Sequence, residues 1–144
     1  MKCIALLLML VAAAPVAAQN SDDREAVRRA VLDYVEGFYE GDSIKHVRSI
    51  APNVFKYGYA KRDNAYTGMQ MQFPAGFVNF TNNVKAGRTK PPANAPKDIV
   101  IFEVLDQTAS AKLTAYWGID YLLLAKNDGR WQITHVLWQT PPPK

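Results

Sequence analysis

Apolar positions between residues 22 and 40 recur with a helical period. Val27, Val31, Tyr34, Val35 and Phe38 fall at i, i+4, i+7, i+8 and i+11 and share one face. Asp22, Asp23 and Glu25 crowd the expected start, where a helix dipole favours anions, and Gly41-Asp42 ends the segment. A second helix is predicted over 43–50, with Ile44, Val47 and Ile50 inward, His46 turned to solvent, and Pro52 closing it. Residues 54–59 alternate as a strand, with Val54, Lys56 and Gly58 on one side and Phe55, Tyr57 and Tyr59 on the other. The stretch 60–73 has no clear period and reads as a hairpin tip or loop. Residues 74–84 fit a third helix with Pro74 in its first turn. Three prolines within 87–97 leave only a loop there.

From residue 98 the period changes to two. Segments 98–106, 109–126 and 130–138 are rich in β-branched, aromatic and leucine residues. Asp106-Gln107 makes a turn, Gly118 a bulge or bend within the long segment, and Asn127-Asp128-Gly129 a hairpin. Helices followed by a three-stranded antiparallel meander predict an α+β domain with its helices on one face of the sheet.

Composition changes this picture mainly at the N-terminus. Lys2, the apolar run 3–18 and the small residues Val16-Ala17-Ala18 make a secretory signal peptide over 1–18, with cleavage after Ala18. The run is interrupted by Pro15 and is too short for a bilayer span. The expected organisation is a signal peptide (1–18), one domain (19–140) and a Pro-rich tail (141–144), in a secreted or periplasmic protein. Cutting the signal away removes Cys3, the single cysteine, and one unit of the +4 net charge. Two histidines and no thiol then leave no structural zinc site, so neither a metal nor a cofactor is expected. No basic stripe for nucleic acid is present. Neither is a phosphate-binding glycine loop, a G-x-S-x-G elbow or an H-E-x-x-H motif.

The runs I-x-x-V-L-D-x-T-A-S-A-K-L and I-D-Y-L-x-L-A-K-x-D-G-x-W-x-I-x-x-V-L-W, over residues 99–138, resemble the putative lumazine-binding family. That family is a branch of the nuclear transport factor 2-like superfamily, and the first helix ending in Y-x-E-G-D resembles it too. The resemblance implies a cystatin-like cone: N-terminal helices packed on a strongly bent antiparallel sheet whose concave face forms a pocket. It also implies that homodimers are common. Ala51 stands where many relatives carry histidine, and Gly118 stands where tryptophan is common, with Trp117 one residue earlier.

Asp120 sits in Ile119-Asp120-Tyr121-Leu122-Leu123-Leu124, where a charge is costly unless paired. It is either an inward base of the kind used by the isomerase cousins, or a structural acid bonded to a tyrosine, a histidine or the backbone. His135 shares parity with Trp131, Ile133 and Leu137. It is either a bonded core residue or a donor paired with Asp120. Glu103 shares parity with Ile99 and Ile101 and is either a second pocket acid or a solvated residue. Tyr34, Phe38, Tyr57, Trp117, Tyr121 and Trp138 could line a cavity for a flat ring, or simply pack the core and a dimer. Three functions remain. The first is an exported binder of a small apolar or aromatic ligand, without catalysis. The second is an isomerase or dehydratase of the ketosteroid isomerase/polyketide cyclase type, with Asp120 as base and His135 or a tyrosine polarising a carbonyl. The third is a non-catalytic dimerisation module using the outer sheet face. No membrane contact is expected after signal cleavage. Asp120 and His135 must share one face of the sheet for the enzyme with that pair to stand.

Overall fold

The computed structural model describes residues 14–141, with side chains from Ser21 to Pro141. Residues 1–13 of the expected signal peptide and 142–144 of the tail lie outside the described residues. The chain runs α1 (Ala14–Glu40), α2 (Ser43–Ser49), β1 (Ile50–Arg62), β2 (Ala65–Met71), α3 (Ala75–Lys85), β3 (Asp98–Val104), β4 (Thr108–Ala115), β5 (Gly118–Asn127) and β6 (Arg130–Gln139). Six strands form one curled sheet in the order β2-β1-β6-β5-β4-β3, with β1 parallel to β6 and every other pair antiparallel.

The periodic face of α1 packs into the concave side of the sheet, and Val27, Val31, Tyr34, Val35 and Phe38 are all buried. Asp22 and Glu25 are not at the first turn, because α1 starts at Ala14. Asp23 instead ties the helix to the sheet, accepting from Trp131 Nε1 at 3.0 Å and Lys126 Nζ at 2.7 Å. In α2 the expected faces are exchanged. Ile44 and Val47 are exposed, while His46 and Ser49 face the core beside Ile50. Asp33 on α1 holds α2 in this rotation by binding the Arg48 guanidinium, with Arg29 on the same carboxylate. His46 fills the space that Gly37 leaves: a Cβ at Gly37 would lie 2.3 Å from its ring.

The ambiguous stretch after β1 is a hairpin. Asp63 and Asn64 adopt positive φ and make a two-residue turn that pairs β2 with β1. The predicted turn at Asn127-Asp128-Gly129 is also a tight hairpin, closing β5 onto β6. The long segment 109–126 is broken rather than bent. It forms β4 and β5 joined at Tyr116-Trp117, so the meander has four strands. Gly118 takes φ +148 there, and a Cβ would sit 2.0 Å from the Gln139 carbonyl oxygen. Tertiary contacts hold this turn: the Tyr116 amide donates to the Tyr39 hydroxyl at 3.0 Å, which donates to the Pro96 carbonyl at 2.6 Å.

Candidate functional site

Alternation on the curled sheet sets which side chains look inward. Across β2-β1-β6-β5, Met71, Lys56, Val136 and Leu122 stand in one inward row, and Met69, Gly58, Trp138 and Asp120 stand in the next. These rows meet Phe38 from α1, Phe80 from α3 and Trp117 from the β4–β5 turn around a cavity of about 220 Å³. Its described lining residues are Phe38, Lys56, Met69, Met71, Phe80, Trp117 and Trp138, of which only Lys56 carries a charge. Gly58 is needed for the wall, because a Cβ there would lie 2.2 Å from the Trp138 ring, which rests directly on the strand.

A polar chain lies behind the apolar lining. Asp120 is fully buried, and each of its oxygens is satisfied. Tyr34 donates its hydroxyl to Oδ2 at 2.7 Å, and Trp117 Nε1 donates to Oδ1 at 2.8 Å. Lys56 Nζ donates to the Tyr34 hydroxyl at 2.5 Å and stands 3.8 Å from Asp120 Oδ2. The same ammonium lies over the rings of Tyr34, Phe38, Phe77 and Trp117 at 4.8–5.8 Å, an aromatic cage that compensates part of its lost hydration. Burial pulls the Lys56 ammonium below its ordinary pKa, against the opposing pull of Asp120. Burial, reinforced by Asp120, pushes the Tyr34 phenol well above its ordinary value, so it stays protonated and bridges the lysine to the carboxylate.

His46 stands behind Phe38, with ring centroids 4.3 Å apart. Its Nε2 lies 3.2 Å from the Tyr34 carbonyl, and since a carbonyl only accepts, Nε2 carries the proton. Burial lowers its pKa to about 4, so the ring is neutral at pH 7.

Of the residues expected to form a site, Tyr34, Phe38, Trp117, Trp138 and Asp120 converge here. Four others do not. His135 is exposed on the convex face, opposite Leu123 and beside Phe55. The reason is a bulge: β6 gains one residue between Ile133 and His135, so parity flips and Val136 and Trp138 turn inward. Asp120 and His135 therefore lie on opposite faces and share no cavity. Tyr57 and Tyr121 also point outward, the first between Phe55 and Tyr59 and the second opposite Leu137. Glu103 follows a bulge between Ile101 and Glu103 that moves its side chain out to solvent. The central group absent from the sequence reading is Lys56. Its signal was its parity with Val54 and Gly58, which places a lysine on the inward side of the strand.

Residues 22–139 match the family model described as putative lumazine-binding. Solved structures share the fold. An NTF2-like protein of unknown function from Shewanella baltica OS155 is 21% identical, with a TM-score of 0.67 over 85% of this chain and 97% of its own. A putative scytalone dehydratase from Novosphingobium aromaticivorans is 15% identical, with a TM-score of 0.58 over 88% of this chain and 89% of its own. The association domain of CaMKII from C. elegans is 8% identical, with a TM-score of 0.55 over 83% and 97%. No curated protein matches the sequence.

Proposed function

The chain belongs to the putative lumazine-binding family of the nuclear transport factor 2-like superfamily, and on that footing we propose that it is an exported protein that holds a small apolar or aromatic molecule in the cone cavity. The observation that carries this reading is the cavity itself: about 220 Å³, walled by Phe38, Phe80, Trp117, Trp138 and two methionines, with a single charged group in the lining. Apolar walls with few, placed polar groups are the ordinary makeup of a small-molecule site. The methionines adapt to a ring's outline, and the tryptophans offer faces to stack on. The family name makes lumazine, a flat bicyclic ring, the first probe to try, with naphthalene derivatives beside it.

Titration of the purified protein with these probes should quench the fluorescence of Trp117 and Trp138 saturably. Gly58→Ala, which unseats Trp138 from the cavity wall, should weaken the same probe by about tenfold or more, or ~1.4 kcal/mol, with the circular dichroism spectrum unchanged. Saturable quenching that is indifferent to this substitution would place the ligand elsewhere.

Export is proposed from residues 1–18. The check is the N-terminal residue of protein recovered from outside the cytoplasm, which should be Gln19.

The dehydratase-like neighbour prompts a second reading, with catalysis at the same pocket. Asp120 does not line the cavity, and donors already occupy both of its oxygens. A base must reach the proton that it removes, so Asp120 cannot take a proton from a ligand in this cavity directly.

We also propose a homodimer through the convex face. Tyr57, Leu137 and Tyr121 lie in register across β1, β6 and β5, with Phe55 and Leu123 in the next row; Lys112 on β4 separates them from Val100 on β3, and Leu137 and Tyr121 are each 53% exposed. A solvated sheet face normally alternates to polar residues, and a contiguous apolar patch marks an interaction site. Light scattering should report twice the chain mass. Leu137→Lys, which sets a buried charge in that patch, should weaken association by more than about tenfold. A wild-type monomer at micromolar concentration would sink this proposal.

A further inference from the structure

The cone cavity has room for a ring system and little else. At about 220 Å³ it falls below the ~300–1,000 Å³ usual for small-molecule sites. Its walls offer a ligand almost no hydrogen bond, since the Lys56 ammonium lies among the rings of Tyr34, Phe38, Phe77 and Trp117. The polar part of a ligand seated there, and whatever exceeds the chamber, has to lie outside it.

A second hollow, of about 550 Å³, lies between β2 and α3. Met69, Met71 and Phe80 border both hollows, so the two meet at these side chains. Methionine is unbranched and adapts its shape to what lies against it. Gly76 lets α3 come close at this point, because a Cβ there would lie 2.8 Å from Met71 Cγ. Ala75, Gly76, Asn79, Phe80 and Asn83 follow one another at i, i+1, i+4, i+5 and i+8, so a single helix face supplies the shared aromatic wall and two asparagines. Gln70 and Gln72 complete the lining from the β2 side. Its described residues thus include four with side-chain amides and none with a charge. Asn83 Oδ1 accepts from Arg88 Nε at 2.9 Å, while the side chains of Gln70, Gln72 and Asn79 have no hydrogen-bond partner among the described residues. A side-chain amide both donates and accepts without carrying charge, and a neutral group that does the same is its natural complement.

We propose that the ligand spans both hollows, with an apolar or aromatic ring system in the chamber and a neutral arm bearing amide or hydroxyl groups in the amide-lined groove between β2 and α3. This inference rests on the binding reading above and gives its ligand a second half. The arm leaves the chamber between Met69, Met71 and Phe80. Asn79, the chain neighbour of Phe80, takes its first polar group, and Gln70 and Gln72 take the next. An arm ending in a charge is disfavoured, because the groove lining supplies no counter-ion.

Three probes test this by equilibrium dialysis against the purified protein. 2-Methylnaphthalene is the ring alone, N-(2-naphthoyl)glycinamide adds a neutral arm, and N-(2-naphthoyl)glycine carries the same arm ending in a carboxylate. The glycinamide should bind more tightly than either of the others by about fivefold or more. Asn79→Ala puts a good helix former at an exposed helix position. It should weaken the glycinamide by about fivefold and leave 2-methylnaphthalene unchanged. Gly58→Ala should weaken both, since both rings sit against Trp138. A glycinamide that binds no more tightly than the ring alone, or that ignores Asn79→Ala, would overturn the two-part ligand and leave the binding reading intact. Tighter binding of the carboxylate than of the glycinamide would overturn it equally. No saturable binding of any probe would remove both readings.

Discussion

Asp120→Ala should lower the unfolding free energy by about 3–5 kcal/mol, a large share of the ~5–15 kcal/mol expected of a domain this size. The cost comes from what stays behind. The substitution strips the acceptors from Tyr34 Oη and Trp117 Nε1 and leaves Lys56, 4% exposed, as a buried cation without its counter-charge. The aromatic cage around Nζ offsets part of that charge but supplies no anion. A buried ion pair is weak evidence of net stabilisation, whereas breaking one side of it is strongly destabilising. The double variant Lys56→Met/Asp120→Ala should therefore be more stable than Asp120→Ala alone, which is the reverse of additivity. Urea unfolding of the four proteins in this cycle measures the coupling. A cost below about 1 kcal/mol for Asp120→Ala, or additive single substitutions, would show that the buried chain does not hold the fold.

The second large effect is acid lability centred on His46. In the unfolded chain this histidine takes up its proton near its ordinary pKa of 6.5, and in the folded chain at about 4, because burial under Phe38 and Phe77 disfavours the imidazolium. Between those two values the unfolded state binds more protons, so stability rises with pH and falls as the solution is acidified. The loss should be about 2 kcal/mol by pH 5 and about 3 kcal/mol by pH 4, with full stability regained above pH 6.5. Lys56 and Asp42 act on the ring in opposite senses, the first holding the pKa down and the second raising it. Glu36, Asp33 and Asp23 have lowered pKa values of their own and lose stability in the same direction, but only below the ordinary carboxylate range. His46→Phe keeps an aromatic ring against Phe38 and removes the titration. Its melting temperature should be flat between pH 5 and 7, where that of the wild type drops. Parallel curves for the two proteins would rule out His46 as the cause.

Both effects belong to residues that the sequence pattern read in opposite ways. Asp120 was legible, since a carboxylate in the middle of a leucine-rich strand must be paired, and a tyrosine partner was among the alternatives. His46 was not legible. The spacing of Ile44, Val47 and Ile50 put it on the solvent side, and a seven-residue helix is too short for its own periodicity to outweigh the Arg48–Asp33 anchor that sets its rotation. His135 was misplaced for a different reason, and the same kind of irregularity decided between the two readings of Glu103 in favour of the solvated one. A period of two identifies faces only while the strand is regular, and one inserted residue exchanges every side chain beyond it. Neither bulge carries a glycine or any other local mark. Lys56 was grouped with Val54 and Gly58 on one side of β1 but was not recognised as buried, because lysine is seldom inside and its compensating partners are 22 and 64 positions away in the chain.

The sequence by itself determined the order of elements, the buried stripe of α1, the hairpin at Asn127-Asp128-Gly129, and a family resemblance strongest over 99–138. These follow from interactions among near neighbours, or from patterns long enough to average over exceptions. Tertiary structure alone decided where 109–126 breaks, the rotation of α2, the parity of β6 beyond its bulge, and the meeting of Tyr34, Lys56, Trp117 and Asp120. The turn at Tyr116-Trp117 shows why. Its two residues have no turn preference of their own. They hold because Tyr39 caps the Tyr116 amide and Asp120 accepts from Trp117, contacts that arise only when α1 lies across the closed sheet.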